Sequence, residues 1–100
     1  MNMQALMQQA QRMQREMEKA QKDLEAKEFE IVSAGGGIKV VIQGTKEIKS
    51  IDIDSDMIDP DDKDMLQDMI VVAINEAISK VISEEQKIVA KQQSNMRFPF

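Results

Sequence analysis

An alternating three-and-four spacing of apolar residues near the amino terminus constrains the fold of this chain more than any other feature. The spacing runs through Met3, Leu6, Ala10, Met13, Met17, Ala20 and Leu24. These are the a and d positions of a heptad repeat, which form a seam along one side of a helix that packs lengthwise against another helix. The spacing therefore predicts a long amphipathic helix over about residues 2–27.

Four basic residues lie on the side of this helix opposite the seam. They occupy c and f positions of the same heptads: Arg12, Arg15, Lys19 and Lys22. One interpretation is a solvated helix face, because oppositely charged residues three or four positions apart, such as Glu18 and Lys22, are common on exposed helices. The other is a cationic ridge that binds a polyanion. The choice between these two interpretations depends on which functions the rest of the chain excludes.

The size and composition of the chain favour a homo-oligomer. A chain of 100 residues with 42% hydrophobic and 3% aromatic residues forms one domain with a modest aliphatic core. Ordering the chain costs roughly 1.5 kcal/mol per residue, which a small core barely offsets. We therefore expect a second copy of the chain to cover the apolar seam.

The net charge of −5 conceals an uneven distribution of charge along the sequence. Both ends are basic: the first helix carries its four cations, and residues 86–100 contain Lys87, Lys91 and Arg97 without any acidic residue. Residues 52–68 contain eight aspartates against one lysine, Lys63. An anionic partner would therefore meet the ends of the chain.

Period-two alternation of apolar residues predicts three strands, at about residues 28–33, 38–43 and 46–54. The glycines that separate the strands indicate tight connections and hence an antiparallel meander. Three apolar residues are expected on the sheet face away from the helices, as a second surface for subunit contact: Val32, Val41 and Ile48.

The segment Asp59-Pro60-Asp61-Asp62 predicts the start of a second helix, with Asp59 as its cap and Pro60 in its first position. This helix is expected over about residues 60–92 and is followed by a tail, residues 93–100. Together the elements predict an α+β fold in the order α-β-β-β-α, with a three-stranded antiparallel meander packed against two long helices.

Catalysis and metal binding are disfavoured by the residue types that are missing. The chain has no histidine, cysteine, tyrosine or tryptophan, so carboxylates and lysines are the remaining candidates for acid–base chemistry. The aspartates from Asp52 onward begin like a calcium-binding EF-hand loop, but Met57 and Lys63 occupy the positions that require Gly and Glu. We therefore expect no enzyme, no metal, no cofactor and no small-molecule substrate. The sequence also contains no segment that predicts a membrane span.

What remains is electrostatic binding to nucleic acid. Base stacking lacks the aromatic residues it needs, whereas phosphate neutralisation needs only cations. The candidate DNA-binding residues are Arg12, Arg15, Lys19, Lys22, Lys87, Lys91 and Arg97.

The order of motifs along nearly the whole chain resembles the YbaB/EbfC family of nucleoid-associated proteins. The motifs are Gln9-Ala10-Gln11-Arg12-Met13-Gln14, Ser33-Ala34-Gly35-Gly36-Gly37, Ile51-Asp52-Ile53-Asp54, the stretch from Asp59 to Asp68, and Ala73-Ile74-Asn75-Glu76-Ala77. The resemblance implies a tweezer-like homodimer in the cytoplasm that binds duplex DNA of the bacterial chromosome.

The hypothesis at this stage is a homodimer whose basic ridge and basic second-helix end straddle duplex phosphates. Its interface residues are expected to be Met3, Leu6, Ala10, Met13, Met17, Val32, Val41 and Ile48. The alternative is a chaperone-like or adaptor protein that binds other proteins through a methionine-rich helical surface, since the chain has nine methionines.

Overall fold

The computed structural model describes residues 2–95 and has the α+β fold expected from the sequence. Its elements, in chain order, are α1 (Met3–Ala26), β1 (Glu28–Ser33), β2 (Ile38–Gln43), β3 (Ile48–Ile53) and α2 (Lys63–Asn95). The strands form one antiparallel sheet in the order β1-β2-β3. The predicted meander is therefore confirmed.

Side-chain caps fix where the two helices begin. The Asn2 side chain accepts a hydrogen bond from the Gln4 N–H at 3.0 Å and starts α1. The Asp59 carboxylate accepts one from the Asp61 N–H at 2.9 Å. Residues Pro60–Asp62 form a 3₁₀ turn, so regular α2 begins at Lys63 and not at the predicted Pro60. It continues to Asn95, three residues beyond the predicted end, because no helix-breaking residue occurs before that point.

The core lies between the sheet and α2. Three β2 side chains and three α2 side chains are fully buried there: Ile38, Val40, Ile42, Ala73, Ala77 and Val81. Phe29 lies opposite Ile42, and Ile31 opposite Val40, so β1 adds its apolar residues to the same face. The small Ala73 and Ala77 let α2 approach the sheet closely, and α2 packs across β1 and β2.

The sequence-based assignment of Ile48 to the outer sheet face is wrong. A register shift between Val41 and Ile42 pairs Ile42 with Ile48, so both side chains lie on the α2 side of the sheet. Period-two alternation fails at this position because the bulge adds one residue to β3. Val32 and Val41 do lie on the outer face, where Val32 is exposed and Val41 half-buried.

The two helices run antiparallel beside each other beyond the sheet. Leu24, near the end of α1, is buried against α2 beside Ile88, and Met17 lies near Gln92. The Gly44 N–H donates to the Lys27 carbonyl at 2.9 Å and attaches the end of α1 to the β2–β3 turn. The described chain is consequently long and thin, with extents of 70 × 26 × 16 Å.

Candidate nucleic-acid interface

The basic ridge, which consists of Arg12, Arg15, Lys19 and Lys22, is exposed to solvent. All four side chains are exposed, and within residues 2–95 none of them forms an ion pair. Their 3-4-3 spacing places them along one side of α1 over ten residues, or about 15 Å of helix. Four unneutralised cations in a row are suited to phosphate contact, and the two guanidinium groups suit bidentate contact.

The predicted α2 lysines have a different environment from the ridge. Lys87 and Lys91 line a cleft of about 590 Å³ between α1 and α2, which we call the charged cleft. Its lining also includes three carboxylates, one further cation and three apolar residues: Glu16, Asp23 and Glu84, then Lys27, then Ala20, Leu24 and Ile88. The structure therefore brings these two lysines towards α1, where carboxylates reduce the local positive potential.

One carboxylate in the charged cleft holds two lysines. Glu84 Oε1 accepts hydrogen bonds from Lys80 Nζ at 2.8 Å and from Lys87 Nζ at 3.1 Å. These bonds, from Lys80 first and then Lys87, lower the pKa of Glu84 below its ordinary value. Lys87 is thus partly neutralised, while Lys91 has no ion-pair partner among the residues described. The sequence did not single out Glu84, although its i,i+3 and i,i+4 spacing to the lysines indicates such pairing.

An apolar groove adjoins the charged cleft further towards the start of α1, and Gln92 lines both. The groove has a volume of about 420 Å³ and is lined by Leu6, Gln9, Ala10, Met13, Gln14, Met17 and Gln92. The structure therefore brings together four of the predicted interface residues. Met3 lies further along α1 and is 73% exposed. Val32 and Val41 lie apart on the sheet, and Ile48 lies on its opposite face.

Gln92 is a groove residue that the sequence analysis missed. It is only 8% exposed, and its Oε1 has no hydrogen-bond partner among the described residues. A buried amide without a partner is uncommon in folded proteins. Nothing in its sequence context signals this, because a glutamine in a polar stretch near the end of a helix is ordinarily exposed.

Several further findings bear on function. Arg97, the last predicted DNA-binding residue, lies outside the described residues. Within residues 2–95, no group of acidic side chains is arranged to hold a metal ion. The carboxylates of Asp54 and Asp59 instead accept backbone N–H bonds at turns. Neither of the described helices is long and apolar enough to cross a membrane.

Comparison with known proteins gives both family and structural matches. The model of the YbaB/EbfC DNA-binding family matches residues 1–96. A nucleoid-associated protein of Ruminiclostridium cellulolyticum is 56% identical over 79 residues, which are 79% of this chain and 69% of that protein. A nucleoid-associated protein of Clostridium novyi is 43% identical over 99 residues, covering 99% of this chain and 87% of that one. The crystal structure of an uncharacterised Helicobacter pylori protein matches with a TM-score of 0.72 over 93% of this chain and 98% of that chain. At 19% identity, this last match indicates a shared fold.

Proposed function

Because the chain belongs to the YbaB/EbfC DNA-binding family, we propose that it is a nucleoid-associated protein that binds duplex DNA as a homodimer, mainly through phosphate contacts. The observation that carries this proposal is the basic ridge, whose four cations are exposed and unpaired within the described residues although the chain is acidic overall. The role is one of chromosome organisation or gene regulation, in the cytoplasm at the nucleoid. It involves no catalysis, and residues 1–100 act as one domain.

The proposed DNA contacts differ in strength. Arg12 and Arg15 carry the largest share, because a guanidinium contacts two phosphate oxygens at once. Lys19 and Lys22 extend the same row as point charges. Lys87, Lys91 and Arg97 complete the proposed set, with Lys87 weakened by its bond to Glu84. Such contacts do not distinguish base sequence.

The proposed homodimer forms through surfaces that a single chain leaves uncovered. Leu6 is 39% exposed, Met17 38% and Val32 55%. With them, Met3, Ala10, Met13 and Val41 make up the proposed interface, and Ile48 is left out because it lies on the α2 side of the sheet. Burying apolar side chains contributes about 25 cal/mol per Å² of buried surface, so covering these residues favours association of two chains.

The test is the salt dependence of duplex binding by wild type and by a double variant, Arg12→Ala with Arg15→Ala. Binding is followed by the fluorescence anisotropy of a labelled random duplex. Each phosphate contact contributes about −0.9 to the slope of log affinity against log salt concentration, so the double variant should lose about 1.8 units of slope for each ridge that contacts the duplex.

The matched control removes two positive charges away from the ridge, by Lys49→Ala with Lys63→Ala. Both lysines are exposed, and they lie on β3 and at the start of α2. The control should keep the wild-type slope. If the ridge variant keeps both affinity and slope, the assignment of the ridge is wrong.

The apolar groove supports a second candidate function, the binding of unfolded or partner proteins. Met3, Met7 and Met17 are exposed along this side of α1, and methionine adapts to varied apolar partners. Suppressed aggregation of an unrelated unfolded protein, without duplex binding near ~50 mM salt where electrostatic binding is strong, would favour this function.

A further inference from the structure

The apolar groove extends along α1 beyond the point where α2 ends. Its α1 lining runs from Met17 to Leu6, which are eleven residues, or about 17 Å, apart along the helix. Among the described residues of α2, Gln92 lines the groove, and α2 ends at Asn95, about 5 Å further along its axis. Because the two helices are antiparallel, the axis of α2 points at Asn95 along the remaining ~12 Å of groove. That part is lined, within residues 2–95, by α1 alone.

The five residues that follow α2 have the pattern of an extended apolar segment. They are Met96-Arg97-Phe98-Pro99-Phe100, which lie outside the described residues and which we call the tail segment. Apolar residues alternate with Arg97 and Pro99, so in extended backbone the three apolar side chains share one side. Proline disfavours helical backbone at the residue before it, which favours the extended conformation at Phe98. Five extended residues span at most about 17 Å, which is enough to cover the remaining groove.

Gln92 offers a hydrogen-bond acceptor at the point where such a segment would enter the groove. Its side chain is 8% exposed, and its Oε1 has no hydrogen-bond partner among the described residues. Gln92 lines the charged cleft as well, so it lies at the junction of the two surfaces. A buried acceptor without a partner costs free energy. An extended segment carries backbone N–H groups that, unlike those inside a helix, are free to donate to it.

We propose that the tail segment binds in the apolar groove of its own chain, with Met96, Phe98 and Phe100 against α1 and a backbone N–H donating to Gln92 Oε1. Each phenylalanine can bury ~150–250 Å² of its surface. The groove, of about 420 Å³, has no charged side chain in its lining. The tail segment is joined to α2 one turn from Gln92, so its effective concentration at the groove is in the mM range, far above that of a separate protein.

This inference concerns the arm formed by the two helices and does not rest on DNA binding. A bound tail segment attaches the first turns of α1 to the end of α2, and so supports the part of the helix that carries Arg12 and Arg15. Arg97 then lies on the outer side of the segment, because alternate side chains of extended backbone point in opposite directions. In the proposed homodimer, a second copy meets the filled groove together with Val32 and Val41.

The aromatic residues of this chain make binding of the tail segment measurable. There are three, all phenylalanines: Phe29, Phe98 and Phe100. The centre of the Phe29 ring lies 5.8 Å from Lys80 Nζ, and Lys80 is twelve residues, or about 18 Å along α2, from Gln92. An aromatic ring current at the groove would therefore come from the tail segment.

The first experiment compares methyl NMR spectra of the wild-type chain and a Phe98→Leu, Phe100→Leu variant, which keeps the tail segment apolar. Binding in the groove predicts that the Leu6 and Met13 methyl signals are shifted upfield in wild type and that the variant loses this shift. Met65 is the internal control, because it is exposed and lies 27 residues, or about 40 Å along α2, from the groove. Its methyl signal should not move. Identical Leu6 and Met13 shifts in the two proteins would overturn the proposal.

The second experiment decides which chain supplies the tail segment. The chain has no cysteine, so a Leu6→Cys, Phe100→Cys variant reports proximity by forming a disulfide under mild oxidation. A tail segment bound to its own chain gives a monomeric species with an internal disulfide. A covalent dimer instead would overturn this assignment and make the tail segment of a second copy the occupant. A Gln8→Cys, Phe100→Cys variant, whose α1 cysteine lies on the ridge side, is the control and should form neither species.

Other occupants of the groove give different results. If the body of a second copy covers it, the Leu6 and Met13 signals move with protein concentration and do not respond to the Phe98→Leu, Phe100→Leu substitutions. That result would overturn the proposal. Upfield shifts together with an absence of duplex binding would support this inference and overturn the proposed function, so the two can fail separately.

Discussion

Gly44 shows how one residue sets the position of a functional helix. A Cβ at this position would meet the backbone of Leu24 at the end of α1. Its N–H also bonds the Lys27 carbonyl. The direction in which α1 leaves the sheet, and so the position of the basic ridge, depends on this close backbone approach.

Gly44→Ala should destabilise the fold by about 2–3 kcal/mol, because the added methyl group forces the α1 backbone away from the β2–β3 turn. Urea unfolding measures this loss. Gly35→Ala is the control. Gly35 has a positive φ but open space around it, so this substitution should cost only about 1–2 kcal/mol of backbone strain. Equal losses in the two variants would contradict the close approach.

Glu84 makes stability depend on pH in a defined direction. Its bonds to Lys80 and Lys87 lower its pKa in the folded state. The stabilisation that these bonds give the folded protein is therefore fully present above the pKa that Glu84 has in the unfolded chain. It is lost as pH falls through the lower pKa that Glu84 has in the folded protein. Glu84→Gln should reduce the acid sensitivity of the urea midpoint, whereas Glu76→Gln, which removes an exposed carboxylate outside the ion pairs described, should not.

At the residue scale, the sequence predicted the environment of a side chain where this depends on spacing along one helix. It failed where the environment depends on contacts between elements. The exposure of the basic ridge followed from heptad positions alone. The face of Ile48 depends on a bulge in the β2–β3 pairing. The burial of Gln92 depends on the packing of α1 against α2. Neither is a property of the local sequence.

At the element scale, the start of α2 is defined by an acidic turn whose chemistry was predictable. Asp59 caps the 3₁₀ turn that leads into the helix, and the acidic residues that follow complement the positive end of the helix dipole. The three extra residues at the other end, 93–95, were not predictable from apolar periodicity, because they include no apolar residue and no Gly or Pro that would mark the end of the helix.

Asp59→Ala should destabilise the protein by about 1 kcal/mol, because the Asp61 N–H then loses its acceptor. The free energy of unfolding in urea measures the change. Asp59→Asn retains an acceptor oxygen and should recover most of the loss. Equal destabilisation by both substitutions would assign the effect to charge and not to the cap.

At the scale of the whole molecule, apolar and cationic side chains lie on different sides of α1. The sequence predicted this division from the heptad, and on α2 three apolar side chains, Val71, Ile82 and Val89, are also exposed. The α2 part was not predicted, because its core stripe is broad and a second apolar stripe merges with it in the sequence pattern.

Leu6→Glu with Met17→Glu should convert the proposed dimer to monomer, because two identical faces would then bring carboxylates together in an apolar groove. Sedimentation equilibrium measures the dissociation constant, which should rise at least a hundredfold. Gln8→Glu, on the ridge side of α1, adds charge outside the groove and should leave self-association unchanged. A doubly substituted dimer of normal affinity would exclude this face as the interface.

The most direct test of the central claim, that the basic ridge binds duplex DNA through phosphates, is the affinity of wild type for a random duplex across a range of salt concentrations. The four contacts of each ridge that binds the duplex predict a contribution of about −3.6 to the slope of log affinity against log salt concentration. A slope near zero, or no binding near ~50 mM salt, would contradict the claim.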